Sequence, residues 1–466
     1  MKTYSHIATI LLFLIIQCKG TSYCQSMINS GLPDSPLFDY GWKYVGIEGF
    51  SITPAMYTNL AFSSSGEPYV AFSDSKATLM KFDGTDWVNV GSANFSAGEA
   101  DYISFAFGLS DQPFIAFSDA ANSGKATVMK FDGTNWVNVG ATGFSDSSVW
   151  FISLAFSPSS QPYIAYSDDS HSAKATVMKY DGTNWVNVGN AGFSPGEAYW
   201  TSLAFSPAGE PYIAFCSQSI NYTATVMKFN GTNWVYIGNP NFSEAMVQYT
   251  CLVFSPAGEP YIAFEDYAHY GKATVMKYDG SNWVNFGMPG FSTGDIAYTS
   301  LAFSPYGELY LAYQDLAHSN NATLKKFNGT NWVNVGLPGF SFRQADWISL
   351  AFNSSGTPYV AYAEFPYLWG ATVMKYDSLF TGINELKHSQ FSIYPNPTTT
   401  TLTINFENNQ EKPNYIEVTD IKGVRMFETQ SFQNILSLNI ANYPVGIYFV
   451  KLKTLDSIYI GKFYKK

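Results

Sequence analysis

Residues 201–238, TSLAFSPAGEPYIAFCSQSINYTATVMKFNGTNWVYIG, contain four runs of strand length separated by turn residues. The runs are Thr201–Phe205, Pro211–Phe215, Ala224–Phe229 and Trp234–Gly238. Pro and Gly stand between the first and second runs, and Asn-Gly stands between the third and fourth, which is typical of tight turns between antiparallel strands. The stretch therefore predicts a sheet of four short antiparallel strands.

The same unit repeats along the chain with a fixed period. A tryptophan opens the fourth run of each unit, and after a first step of 45 residues every interval is 49 residues. These residues are Trp42, Trp87, Trp136, Trp185, Trp234, Trp283 and Trp332. A regular period of this length indicates a repeat architecture. Because buried aromatic rings contribute a large apolar area, we expect these tryptophans to pack between units.

The two ends of the array complete each other. The seventh unit stops after its third run at Asp377, and the array begins with an isolated fourth run at Trp42–Gly46. Pairing these runs would remove two exposed sheet edges. The pattern resembles seven-bladed β-propellers. We predict an all-β chain with a seven-bladed propeller of four-stranded blades over residues 21–380, closed by the N-terminal strand and followed by a small C-terminal β-sandwich.

Composition separates two modules and excludes two classes of partner. Charged residues make up 13% of the chain, and residues 21–380 carry a net charge of −15, whereas residues 381–466 carry +2. Nucleic acids and anionic lipids are bound through lysine and arginine, so neither is an expected partner of the acidic module. The change in charge predicts a linker at 381–390 before the last domain at 391–466.

The N-terminus has the layout of a secretory signal peptide. Lys2 precedes an apolar run at residues 7–16, and Cys18 and Gly20 suit a cleavage site. We expect a signal peptide at residues 1–20, with cleavage as late as residue 24 as the alternative. The apolar run is too short to span a bilayer, which needs about 20 residues. The mature protein is expected to have no transmembrane segment.

Two cysteines are certain to remain after removal of the leader. Cys216 and Cys251 would enter a compartment where disulfides persist. The sequence leaves two alternatives open, which are a disulfide between them and two buried free thiols.

Comparison of the seven units locates a candidate binding face. Their turns hardly change, but the loops after the second run and between units vary, and these loops emerge on the same face. A leucine or phenylalanine lies 18 residues after each of the seven repeated tryptophans, and three positions before it stands an aromatic residue: Tyr57, Tyr102, Phe151, Trp200, Tyr249, Tyr298 and Trp347. Acidic residues follow the second run of six units: Asp74, Asp119, Asp168, Asp266, Asp315 and Glu364.

Aromatic faces combined with carboxylates are typical of sugar sites, because rings stack on C–H groups and carboxylates accept hydroxyl hydrogen bonds. We predict that these two sets bind a ligand at the mouth of the central channel. The alternative is that the aromatics wedge between blades and the acids cap turns. No cofactor is expected, with calcium as an open alternative because it accepts carboxylate ligands in loose geometry. Metal ligation by His171, His269 and His318 is not expected, because they lie on separate units.

Motifs for catalysis are lacking. The sequence contains no nucleophile elbow, no His-Glu-x-x-His and no phosphate-binding glycine loop. A glycosidase that uses two carboxylates remains the alternative, since Asp and Glu are plentiful on the variable face. A further alternative is a structural or adhesion propeller. The favoured hypothesis is a binding protein that recognises a glycan or a surface protein.

The last residues resemble a known export signal. Tyr394-Pro395-Asn396-Pro397, a middle turn that includes Gly423, and a late strand that includes Gly446 and Tyr448 match the type A C-terminal sorting domain of the type IX secretion system of Bacteroidota. The resemblance implies recognition by the type IX machinery and passage to the outer-membrane surface or the medium. It also implies that the tail is commonly cleaved and exchanged for a lipopolysaccharide anchor.

Overall fold

A computed structural model describes residues 41–51, 53–365, 370–377, 391–406, 415–420, 424–429, 435–453 and 458–466. The expected signal peptide at 1–20 and linker at 381–390 lie outside these residues. The chain divides into two compact units, Met1–Ser378 and Leu379–Lys466.

The described part of the first unit forms seven four-stranded antiparallel sheets, which we call blades 1 to 7. Their strands, from innermost to outermost, have the following bounds. Blade 1 has Met56–Phe62, Pro68–Asp74, Lys76–Phe82 and Trp87–Asn89; blade 2 has Ala100–Phe107, Pro113–Asp119, Lys125–Phe131 and Trp136–Asn138. Blade 3 has Val149–Phe156, Pro162–Asp168, Lys174–Tyr180 and Trp185–Asn187; blade 4 has Ala198–Phe205, Pro211–Ser217, Thr223–Phe229 and Trp234–Tyr236. Blade 5 has Val247–Phe254, Pro260–Asp266, Lys272–Tyr278 and Trp283–Asn285; blade 6 has Ile296–Phe303, Leu309–Asp315, Asn321–Phe327 and Trp332–Asn334. Blade 7 has Gln344–Phe352, Pro358–Phe365, Ala371–Asp377 and the N-terminal strand Gly41–Tyr44.

The first strands of successive blades contact one another, and the first strand of blade 7 contacts that of blade 1. The N-terminal strand pairs antiparallel with the third strand of blade 7, with Gly41 opposite Asp377 and Tyr44 opposite Met374. The predicted closure by the N-terminal strand is thus present. The all-β class and the propeller-like arrangement of four-stranded sheets are confirmed.

Short 3₁₀ helices occupy the connections of the first unit. One follows the first strand of blade 2, at Leu109–Asp111. The others follow the second strand in blades 2 to 6 and have the bounds Ala120–Asn122, Asp169–His171, Gln218–Ile220, Tyr267–His269 and Leu316–His318. These five helices lie on the variable face.

The predicted tryptophans link neighbouring blades. Each indole Nε1 donates to a backbone carbonyl of the preceding blade at 2.7 to 3.0 Å, as from Trp234 to Val188 and from Trp42 to Val335. Each indole also stacks on a phenylalanine, with ring centroids 3.6 to 4.8 Å apart. The repeated tryptophan therefore packs at every junction between blades, as the sequence predicts.

The second unit contains two antiparallel sheets. The three-stranded sheet has the order Phe391–Tyr394, Thr401–Phe406, Ile435–Asn439, and the four-stranded sheet has the order Arg425–Thr429, Tyr415–Asp420, Gly446–Lys453, Ile458–Lys465. Alternate residues of both sheets, among them Ile404, Val418 and Val450, pack into one apolar core. This arrangement is the expected small β-sandwich.

Cys216 and Cys251 are free thiols. Burial raises the pKa of Cys216 to about 12. Cys251 occupies a position where most blades carry serine, and its Sγ accepts a hydrogen bond from the Leu301 N–H at 3.4 Å. The structure therefore has two free thiols and no disulfide between them, and of the two Cys216 is buried and Cys251 is partly buried.

Candidate functional site

The seven predicted aromatic residues form a closed ring at the loop end of the innermost strands. Neighbouring ring centroids are 5.2 to 5.8 Å apart around the whole circle, including the pair of Trp347 and Tyr57 that joins blade 7 to blade 1. All seven side chains are half-buried. We call these residues the ring aromatics and the surface around them the channel mouth.

A repeated backbone irregularity positions the ring aromatics. In every blade the register between the first and second strands shifts at the aromatic residue, as between Trp150 and Ser153 in blade 3. The extra residue is a β-bulge, which redirects side chains at the end of a strand. Each ring aromatic has a φ of 50 to 55°. This conformation is strained for a bulky residue, and such strain is concentrated at functional sites.

Hydrogen bonds between blades hold the bulges in place. The hydroxyl of Thr250 donates to the carbonyl of Trp200 at 2.5 Å, and the hydroxyls of Thr58, Thr201 and Thr299 make the equivalent bond. Two residues after the threonine position, the Leu203 N–H donates to the Ser153 Oγ at 3.0 Å, and four other blades repeat this bond through serine. The ring aromatics are therefore carried on a rigid base.

The residue that precedes each ring aromatic differs from blade to blade. These residues are Met56, Asp101, Trp150, Tyr199, Gln248, Ala297 and Asp346. Sequence reasoning missed this position, although its variation against a nearly constant background was a visible signal. It divides the channel mouth into two sectors of different chemistry.

Blades 3 and 4 contribute an aromatic sector. Trp150 is 43% exposed and meets Tyr102 edge to face at 5.8 Å between centroids. Tyr199 contacts Phe151 at 5.7 Å and Trp200 at 5.8 Å. The ring aromatics are thus extended outward by a second row of exposed and half-buried rings.

Blades 5 to 7 contribute a polar sector. Asp346 is buried and accepts hydrogen bonds from Gln314 Nε2 at 2.5 Å and Gln344 Nε2 at 3.0 Å. Glu265 is buried opposite Gln248 in the register of blade 5. Burial raises the pKa of Glu265 to about 7.

The ring tyrosines share the electrostatic environment of these acids. Burial raises the pKa of Tyr57, Tyr102, Tyr249 and Tyr298. Nearby carboxylates raise these pKa values further, namely Asp101 for Tyr57 and Tyr102, Glu265 and then Asp346 for Tyr249, and Asp346 for Tyr298. The tyrosine hydroxyls therefore remain neutral hydrogen-bond donors at neutral pH.

The six predicted acidic residues that follow the second strand, which we call the acidic column, have a different environment from the ring aromatics. Asp119, Asp168, Asp266 and Asp315 are buried, and each accepts a hydrogen bond from the backbone N–H two residues ahead at 3.0 to 3.2 Å. Each also accepts a threonine hydroxyl from the third strand at 2.8 to 2.9 Å. These contacts cap the 3₁₀ helices. Ligand binding by these four carboxylates stays a prediction, while their observed partners are all within the protein.

Histidine completes three of these caps. His171, His269 and His318 each place Nδ1 2.9 Å from the aspartate three residues earlier. A glycine from the next connection covers each ring, so that a Cβ at Gly192 would lie 2.5 Å from the His171 Cβ. Among the described residues, no three His, Cys, Asp or Glu side chains are grouped as a metal site would require.

The two remaining acids of the column differ. Asp74 is half-buried, with the Asn94 amide 3.5 Å away. Glu364 is buried with Oε2 near the Thr372 hydroxyl at 3.3 Å, while Oε1 has no hydrogen-bond partner among the described residues. Burial and the neighbouring Glu48 carboxyl raise the pKa of Glu364 to about 7. Glu364 lies where the N-terminal strand closes blade 7.

The predicted sorting residues lie on the C-terminal β-sandwich. Asn396 joins the two ends of this unit, because its Nδ2 donates to the Lys462 carbonyl at 3.1 Å and its Oδ1 accepts from the Tyr464 N–H at 3.0 Å. Pro395 and Pro397 both follow cis peptide bonds, and Tyr394 is exposed. Gly423 lies outside the described residues.

The late-strand residues of the sorting motif are well defined. Gly446 begins its strand, and Tyr448 is buried two residues later. The Tyr448 hydroxyl donates to the Pro444 carbonyl at 2.8 Å, and its ring stacks on Phe463. The motif therefore fixes a strand in the middle of the four-stranded sheet.

The fold and these sites define an all-β protein made of a propeller-like repeat unit and a C-terminal β-sandwich. Residues 392–466 match the family of secretion system C-terminal sorting domains. The C-terminal unit is a sorting domain of the type IX secretion system, and the protein is exported to the cell surface or secreted. In the described residues no helix has the length and apolar character needed to cross a membrane.

The structure is similar to that of PorZ, described as an essential bacterial surface component of the type IX secretion system of Porphyromonas gingivalis. The two share 13% sequence identity at a TM-score of 0.51, over 88% of this chain and 59% of PorZ. This chain therefore spans less than two thirds of PorZ, and the likeness shows the fold alone.

Two further solved structures are similar at lower scores. The fucose-specific lectin from Aleuria aurantia has 16% identity and a TM-score of 0.43, over 62% of this chain and 100% of the lectin. A polysaccharide lyase of family PL25 that acts on ulvan has 12% identity and a TM-score of 0.45, over 71% of this chain and 94% of the lyase. No curated protein sequence matches this chain.

Proposed function

We propose that this exported protein binds a glycan at the channel mouth. The observation that carries the proposal is the closed ring of seven half-buried aromatic side chains, with neighbouring centroids 5.2 to 5.8 Å apart. Aromatic faces stack on the apolar C–H faces of sugars, and the neutral tyrosine hydroxyls can donate to ring and hydroxyl oxygens.

The surroundings of the ring supply the polar contacts that a sugar requires. Asp101, Gln248 and Asp346 each precede a ring aromatic in the same strand, so carboxylate and amide groups lie beside the aromatic faces. Ligand sites usually combine an apolar lining with a few fixed polar groups. The hydrogen bonds between blades hold the lining in place before a ligand arrives, which reduces the ordering cost of binding.

A glycan array with the purified full chain, followed by calorimetry on the hits, tests this proposal. Trp200→Ala and Trp347→Ala should weaken binding without changing the thermal midpoint of unfolding by more than a few degrees. Tyr306→Ala is the matched control, because Tyr306 is 72% exposed in a turn at the opposite end of its blade. Equal affinity of the tryptophan variants and the control would refute the proposal. A screen with no glycan hit would favour a protein ligand.

Glycoside hydrolysis is the second candidate function, favoured by one observation. Glu265 is a buried carboxyl with a pKa raised to about 7, the state in which a glutamate can serve as a general acid. Glu265 and Asp346 both raise the pKa of the ring residue Tyr249, so both carboxyl groups lie near it. Asp346 could therefore supply the second carboxylate. Shortened products from a bound oligosaccharide, lost in Glu265→Gln, would establish hydrolysis. Intact oligosaccharide after prolonged incubation would leave binding alone.

A further inference from the structure

No lysine or arginine among the residues that the structure describes forms an ion pair with the acidic side chains of the channel mouth. Asp101 precedes Tyr102, Asp346 precedes Trp347, and Glu265 lies across from Gln248 in the strand register. Asp346 receives its hydrogen bonds from two neutral amides, those of Gln314 and Gln344. Its negative charge is thus stabilised by dipoles and is not neutralised by an ion pair with either donor.

The basic side chains of the same face lie further from the axis. Lys76, Lys125, Lys174 and Lys272 begin the third strand of their blades, two strands away from the ring aromatics. Arg343, at the start of blade 7, pairs with Glu48 at 3.7 Å. The carboxylates of Asp101, Glu265 and Asp346 lie close enough to the ring tyrosines to raise the pKa values of their hydroxyls.

The faces of the aromatic rings add to the negative electrostatic potential of these carboxylates. The face of an aromatic ring carries a partial negative charge and attracts ammonium groups within about 6 Å of its centroid. Seven such rings surround the channel mouth, and acidic side chains adjoin them in blades 2, 5 and 7. A ligand bound there would displace water from the rings and from the carboxylates. With less water between the charges, attraction to a cation and repulsion of an anion both become stronger.

We propose that the channel mouth prefers saccharides that carry an ammonium group over neutral ones and rejects uronic acid or sulfated saccharides. This inference rests on the proposed function, since it specifies the glycan. The aromatic sector of blades 3 and 4 provides the stacking surface, and the negative charges of Asp101 and Asp346 select the charge of the ligand. Buried Glu265 adds its charge as the pH rises through about 7.

Calorimetry with the full chain at pH 7.5 tests the inference with three hexasaccharides. They are N-acetylglucosamine hexamer, its de-N-acetylated and N-trimethylated counterpart with permanent charge, and galacturonic acid hexamer. The trimethylated hexamer should bind about 3-fold to 30-fold more tightly than the neutral one, as expected for a cation over aromatic rings. The galacturonic acid hexamer should not bind. Raising the salt concentration to 0.5 M should reduce the preference.

Asp101→Asn and Asp346→Asn should each lower the ratio of the affinity for the charged hexamer to the affinity for the neutral hexamer. Glu67→Gln is the matched control, because it removes the same charge from a turn on the opposite face, where Glu67 pairs with Lys81. Equal affinity for charged and neutral hexamers, or a preference that both asparagine variants retain, would overturn the inference and leave glycan binding intact. Failure of all three hexamers to bind would overturn the inference, and glycan binding itself would then be judged by the array.

Discussion

The indole Nε1 of Trp42 donates a 3.0 Å hydrogen bond to the backbone carbonyl of Val335, a residue 293 positions later in the chain. The same ring stacks on Phe340 with the centroids 3.6 Å apart. Trp42 belongs to the N-terminal strand of blade 7, and Val335 follows the last strand of blade 6. The first described strand of the chain is therefore fixed to both of the last two blades.

Trp42→Phe should destabilise the first unit by about 1 to 3 kcal/mol, because the hydrogen bond is lost and the smaller ring leaves a void. Urea unfolding followed by circular dichroism measures the change. Trp150→Phe is the control, since Trp150 is 43% exposed and its substitution should change the free energy of unfolding by no more than about 0.5 kcal/mol. An equal effect in both variants would contradict the role of Trp42 in closure.

Gly189 and Gly182 form a matched pair for the contact between blades. Both have positive φ values, 76° and 104°. A Cβ at Gly189 would lie 3.0 Å from the Phe229 ring, whereas a Cβ at Gly182 would meet nothing within 4 Å. Gly189→Ala should therefore cost about 1 to 3 kcal/mol more than Gly182→Ala, because only the first adds a clash to the backbone strain. The urea midpoints of the two variants provide the measurement, and similar values would contradict close packing at this junction.

The period of the sequence predicted most of this architecture. A constant spacing of tryptophans and turns requires identical sheets, and the incomplete units at the two ends could pair only with each other. The positions of the ring aromatics followed from the same spacing, because equivalent residues of a closed array lie on a circle.

The roles of individual polar residues could not be predicted in the same way. Asp168 and Asp74 occupy equivalent positions, yet only the first is buried in a cap, because that depends on a loop of suitable length with a hydrogen-bond donor. The charge of the mouth was missed because Asp101 and Asp346 are 245 positions apart in the sequence, and closure of the blade array alone places them on the same circle. Cys251 replaces a serine acceptor, which the cysteine count could not indicate.

Stability should fall as the pH rises from about 4.5 to about 7. Glu364 has an ordinary pKa near 4.5 when unfolded and a pKa of about 7 when folded, so the folded state binds more protons in this interval. Glu48 and Arg343 are the charged groups beside it, together with the Tyr44 and Tyr362 hydroxyls. In Glu364→Gln the free energy of unfolding should fall by about 1 to 3 kcal/mol less than in the wild type over this pH interval. Thermal midpoints between pH 4 and pH 8 provide the test, and superimposable profiles for wild type and variant would contradict it.

Deletion of residues 391–466 should prevent export across the outer membrane, because the sorting domain is removed. Protease accessibility on intact cells measures the surface fraction, and the truncated protein should be protected until the outer membrane is opened. Tyr448→Phe is the control, since it removes only the hydrogen bond to Pro444 and leaves the buried ring. Normal surface exposure of the truncated protein would show that another part of the chain directs export.

The most direct test of glycan binding at the ring aromatics is the affinity of Trp200→Ala and Trp347→Ala for the best array hit, measured beside Tyr306→Ala. A stacked sugar contributes about 1 to 2 kcal/mol per aromatic ring, so each tryptophan variant should bind about tenfold more weakly while its unfolding midpoint stays near that of the wild type. Unchanged affinity in both tryptophan variants would contradict the account, and loss of folding in both would show that these rings serve the packing of the blades.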